Sequence, residues 1–192
     1  MTIALAEFHQ LMGMLTKAWH DRRVLDAFSI VDEVLDRGAP KMKVQALLFR
    51  GMIKEDEADL PGAMRDWLQL LDFGVDSFVS HQAQCLLGKA NEHLGLSSEA
   101  TAWYWAALVT CQKCGEFSGV DALRGFWKYR GDEITDEERA VLCAVVAQSW
   151  RVHELTGLPN LDDLGLTIAS LENGVLQQRQ RILDDQPFRD SI

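Results

Sequence analysis

Cys111-Gln-Lys-Cys114 is the pair of side chains in this sequence best spaced for chemistry, and His81 and Cys85 lie four residues apart upstream of it. If helices carrying these two pairs lie antiparallel, the four side chains form a tetrahedral thiolate and imidazole set of the kind that holds zinc. A single CxxC without a second is a weak metal signature, and a free cysteine is more often a small core residue. A redox role needs a βαβ setting that the surrounding sequence lacks. The expectation is therefore no metal and no cofactor, with His81, Cys85, Cys111 and Cys114 as the alternative zinc set.

Two other clusters invite chemistry. Glu55-Asp56-Glu57-Ala58-Asp59 puts negative charge at the end of a helix, where the macrodipole disfavours it. The run reads either as a solvated terminus or as a contact for a cationic partner. Arg124-Gly-Phe-Trp-Lys-Tyr-Arg130 mixes aromatic and basic residues as single-strand nucleic-acid platforms do. The chain carries a net charge of −10, however, and repels phosphate backbones and anionic membranes alike. Packing and a protein contact are the better reading of this segment. GxSxG, GxGxxG, a phosphate loop and HExxH are all absent, so no enzyme is expected.

The elements that position these residues are helical. Phe8, Leu11, Met12, Leu15 and Trp19 keep the spacing of one apolar helix face, and Val24 to Leu35 repeats it before Gly38 and Pro40. Further helices are expected from Val44 to Asp59, Pro61 to Phe73, Ser77 to Leu94 and Ser97 to Cys114. Later in the chain Thr135 and Glu138 form a capping box. No stretch alternates with period two, so strands are not expected. The hydrophobic fraction of 47% is that of a globular chain, and no apolar run approaches the ~20 residues that span a bilayer. Four irregularly spaced cysteines and no secretory leader place the expectation in the cytoplasm.

A beat runs through these helices. Gly51, Gly88 and Gly125 stand 37 residues apart, and Ala27, Ala63 and Ala100 keep nearly the same step. Together with Trp67, Tyr104 and Ala107, this pattern resembles the tetratricopeptide repeat family. That family pairs a small residue in a first helix with alanines flanking an aromatic in the second. The resemblance spans residues 5 to 156 and is best in the third unit, Leu87-Gly88, Ala100, Tyr104 and Ala107. It departs in the first unit, where Leu15 stands for the glycine, and in the second, where Leu70 replaces an alanine. In the fourth unit Ala140, Ala144 and Ala147 fit only if the turn is lengthened.

The resemblance implies an all-α, right-handed solenoid of antiparallel helix pairs, with units at about 5–40, 41–75, 76–114 and 118–156. A capping helix is expected at 160–183, from Asn160 with Leu161, Leu164, Ile168, Leu171 and Val175, followed by a loose acidic tail at 184–192. Residues 1–183 then form one domain, a monomer or a weak dimer through that last helix.

A concave groove lined by the first helix of each unit also follows from the resemblance. Its lining would be His9, Met12, Thr16, Trp19 and His20, then Gln45, Leu48, Met52, Glu55 and Asp56. The third unit would add Gln82, Cys85, Lys89, Glu92 and His93, and the fourth Ala122, Phe126, Tyr129 and Arg130. That register turns Cys85 away from the sixth helix, against the zinc alternative. Such a strip suits a peptide or helix with apolar anchors and basic flanks. The expected function is an adaptor or chaperone-like binding module. The competing expectation is an immunity protein that neutralises a basic toxin through its acidic surface.

Overall fold

The structure, a computed structural model, describes residues 2–74, 78–114, 119–130 and 134–148. Among the described residues the fold is all-α, with eight helices and no strand. They are α1 (Leu5–His20), α2 (Val24–Arg37), α3 (Pro40–Asp56), α4 (Leu60–Leu71), α5 (Phe78–His93), α6 (Ser97–Cys114), α7 (Val120–Arg130) and α8 (Asp136–Gln148). Pro40 opens α3 as its first residue, where its missing N–H costs nothing, rather than merely closing α2. The capping helix expected at 160–183 and the tail at 184–192 lie outside the described residues.

The first two helices bury most of the stripe their spacing forecast: Phe8, Leu11 and Leu15 in α1, joined by Ala18 while Met12 and Trp19 are half-buried, and Ala27, Val31 and Val34 in α2. From α1 to α7 successive helices pack side by side, and the core divides into three linked clusters along the chain. Helix α3 belongs to two of them: Ala46 and Ile53 pack with α1 and α2, and Val44, Leu47 and Leu48 with α4 and α5.

Three helix junctions are built alike. Arg23, Asp59 and Leu96 each donate their backbone N–H to the carbonyl five residues earlier, at Ala18 (2.8 Å), Lys54 (2.8 Å) and Asn91 (2.9 Å). The residue just before each donor takes a left-handed conformation, with φ of 58° at Arg22, 64° at Ala58 and 73° at Gly95. This is the Schellman termination. The next helix then starts with a bond to the donor's own carbonyl from Ala27 (3.0 Å), Ala63 (2.9 Å) or Ala100 (2.9 Å). The three alanines of the beat thus occupy one structural place, and all are fully buried. Only one of the three left-handed residues is glycine, so Ala58→Gly should stabilise the protein by about 0.5–1 kcal/mol. Equilibrium denaturation of the variant checks this.

The glycines mark where aromatic rings enter. A Cβ at Gly51 would overlap the buried Trp67 indole, and one at Gly88 would lie 2.6 Å from Tyr104 Cε1. A Cβ at Gly125 would overlap the other edge of the same Tyr104 ring. Tyr104 is therefore clamped between α5 and α7, the close approach that glycine makes possible.

The chain departs from the beat beyond α7. The capping box forms as the sequence indicates: Glu138 N donates to Thr135 Oγ1 (3.2 Å), and Thr135 N donates to Glu138 Oε2 (2.8 Å). Of the expected ladder of small residues, Ala140 is exposed and Ala144 half-buried, the Ala147 side chain lies outside the described ones, and Val141, Leu142 and Val145 enter the core. Helix α8 lies closest to α6 rather than to α7. No helix among the described residues is long and apolar enough to cross a membrane.

Candidate partner-binding face

The last turns of α1 and α3, and those of α5 and α7, are joined in pairs by side-chain bonds that span about one beat of the sequence. Trp19 Nε1 donates to Asp56 Oδ2 at 2.8 Å, across 37 residues. Tyr129 Oη donates to Glu92 Oε1 at 2.7 Å, again across 37 residues, and Lys128 Nζ donates to the same oxygen at 2.9 Å. Tyr104 Oη donates to the other carboxylate oxygen of Glu92. The Trp19 indole meets Phe49 edge-on at 6.1 Å, which fixes the ring over α3.

Electrostatics follow from these contacts. Burial pushes the Glu92 carboxyl up, but the bonds from Tyr104, Lys128 and Tyr129 outweigh it and hold it below the ordinary carboxylate range. Burial, with the Glu92 bond and charge added, pushes the Tyr104 phenol well up. Glu55 goes the other way. Burial raises its carboxyl; His93 lowers it, Asp56 raises it and Lys89 lowers it, with a net upward shift.

Most of the residues expected to line a groove are open to solvent. His20, Asp56, Lys89 and His93 are exposed, and Met12, Trp19, Gln45, Met52, Glu55, Glu92 and Tyr129 are half-buried. Four are not available. Leu48, Cys85, Ala122 and Phe126 are 4%, 7%, 0% and 1% exposed and belong to the core. The reason is geometric: the mid-helix residues of α3, α5 and α7 lie between neighbouring helices, so the buried arc there is wide. The C-terminal turns keep an open side, with His20, Asp56 and His93 exposed there. Glu92 and Tyr129, read as contacts for a partner, already bind each other.

The alternative zinc set does not assemble. His81 Nδ1 donates to the Ala107 carbonyl at 3.0 Å, and its Nε2 lies 3.6 Å from Cys85 Sγ. Cys85 packs with Tyr104, Ala107 and Cys111, toward α6 and not away from it as the repeat register implied. Burial pushes the Cys85 thiol up to about 12 and the Cys111 thiol up to about 11, which keeps both as thiols in their packed surroundings. Among the described residues no three His, Cys, Asp or Glu side chains converge on a metal position. The cluster is a hydrogen-bonded tie between α5 and α6.

The acidic run also divides. Helix α3 ends at Asp56, and Asp59 caps α4, its carboxylate accepting from Gly62 N at 3.0 Å. The strongest ionic cluster escaped the sequence reading altogether. Asp66, its side chain 4% exposed, accepts from Arg50 Nε (2.9 Å) and Nη2 (2.7 Å) and from Lys54 Nζ (2.8 Å). Arg50 also lies 3.6 Å from Asp32 of α2, so the cluster ties α2, α3 and α4 together. A signal existed: Asp66 falls on the apolar stripe of α4 with Ala63, Trp67 and Leu70, where a carboxylate must be paired. Compared with known proteins, the chain matches no family model, no curated protein and no solved structure.

Proposed function

We propose that this protein is a non-enzymatic binding module, a solenoid of tetratricopeptide-like helix pairs that holds a peptide or helix of a protein partner. The bound segment lies across the last turns of α1, α3, α5 and α7. The observation that carries the reading is the recurrence of one construction at one interval. Schellman junctions recur at Arg22, Ala58 and Gly95, and side-chain bonds join Trp19 to Asp56 and Glu92 to Tyr129 across 37 residues. Helices that repeat a fixed step build an extended surface, which such chains use for binding other proteins.

The open residues suit a peptide with an apolar anchor. Met52 supplies an adaptable apolar contact, and Trp19 a rigid aromatic one already oriented by Asp56. A cytoplasmic adaptor or chaperone-like role fits this surface. The net charge of −10 favours a second reading, an inhibitor or immunity protein that captures one basic toxin. Affinity separates the two: peptides held at micromolar level mark the adaptor, and one folded partner at nanomolar level or tighter marks the inhibitor.

Displayed random peptides selected on the unmodified protein provide the test. Met52→Glu and Trp19→Ala should each weaken the selected peptides by about tenfold or more, with helicity unchanged by circular dichroism. Unchanged affinity in both variants would remove this face from consideration.

A further inference from the structure

We infer that Glu55 is the acceptor for a lysine or arginine side chain of the bound peptide, an inference that rests on the binding face proposed above. The carboxylates of that face are not equivalent. Asp56 accepts from Trp19 at 2.8 Å, and Glu92 accepts from Tyr104, Lys128 and Tyr129. The Glu55 side chain makes no hydrogen bond or ion pair among the described residues, although it is half-buried and sits one turn from Met52. Partial burial raises the Glu55 carboxyl, and a cationic donor from outside would offset that desolvation.

Charge selects the donor. Trp19 gives Asp56 a hydrogen bond but no positive charge, so two carboxylates lie side by side at the end of α3. Lys89 and His93 of α5 stand within electrostatic reach of Glu55, but neither forms an ion pair with it. The α5–α7 half of the face is different, because Lys128 answers Glu92 at 2.9 Å. In the α1–α3 half neither Glu55 nor Asp56 has an ion pair among the described residues, and Met52 lies beside them. A cationic side chain on an aliphatic stem fits both, its methylenes against Met52 and its head on Glu55.

Peptide libraries with one fixed central residue and random flanks test this, with lysine, arginine, acetyl-lysine, glutamine or glutamate fixed. On the unmodified protein, fixed lysine and arginine should be retained about tenfold or more over acetyl-lysine, glutamine and glutamate. Glu55→Gln should abolish that preference, while Glu57→Gln, an equal loss of charge at an exposed site, should leave it. The acetyl-lysine comparison needs no variant and holds even if Glu55→Gln folds poorly. Equal retention of all libraries, or a lysine preference that survives Glu55→Gln, would overturn the assignment. Retention that lacks a cation preference yet is lost in Met52→Glu would overturn Glu55 and leave the face standing. Failure of every library to bind would overturn both.

Discussion

Asp66→Ala should lower the stability of the protein by about 3–5 kcal/mol, which is what removing one partner from a buried ion pair costs. In a chain of this size that is a fall in melting temperature of roughly 6–20 °C. The loss arises from what remains: Arg50 and Lys54, their side chains 21% and 24% exposed, would keep their charges with the central carboxylate gone. Their partial exposure puts the value toward the lower end of that range. Because the cluster also reaches Asp32, the loss should loosen α2 and α4 together. Replacing Arg50, Lys54 and Asp66 jointly by methionine and leucine should recover most of the stability, because an apolar cluster of similar volume leaves no charge unpaired. A single variant as stable as the parent protein would mean the three groups are not held as described.

Gly125→Ala gives the second large effect, and its sign is the informative part. Alanine is favoured over glycine in a helix interior by about 1 kcal/mol, so propensity alone forecasts a more stable protein. Here the added methyl meets the Tyr104 ring, which is 1% exposed, hydrogen-bonded to Glu92 and already flanked by Gly88. Overpacking of this kind costs about 1–3 kcal/mol, and a net loss is expected. Gly13→Ala is the control: nothing lies within 4 Å of its Cβ position in α1, so there the propensity gain should appear. Gly125→Ala should recover part of its loss when Tyr104 is also shortened to leucine. Thermal denaturation of the four proteins checks each step.

Much of the fold was legible because the apolar spacing is regular. The buried stripes of α1, α2, α4 and α6 are the ones that period indicates, and Ala27, Ala63 and Ala100 fall at equivalent places in three helices. Helix ends were less legible, because a Schellman junction does not need glycine. Arg22 and Ala58 take the left-handed conformation without any residue-type signal, so the expected end of α3 at Asp59 falls three residues past its end at Asp56, while its expected start at Val44 falls four residues after Pro40. The fourth unit misled because alanines are visible as a pattern, while Val141, Leu142 and Val145 carry the packing.

The candidate face was legible only in part. Its exposed residues His20, Asp56 and His93 fall at the ends of α1, α3 and α5, where no following turn covers them. Leu48, Cys85 and Phe126 share their periodicity but lie mid-helix, where neighbouring helices close over them. Single-helix spacing says which way a residue points along its own axis, and it is silent on how far the next helix reaches. The hydrogen bonds that consume Asp56 and Glu92 are likewise invisible in sequence, as they join residues a full beat apart.

Hydrogen exchange measured with and without a selected peptide tests the central claim most directly. Binding across the proposed face should slow exchange in the C-terminal turns of α1, α3, α5 and α7, around Trp19, Met52, Glu92 and Tyr129, and leave α2, α4 and α6 as they were. Protection that falls on α2, α4 or α6 instead would contradict the account.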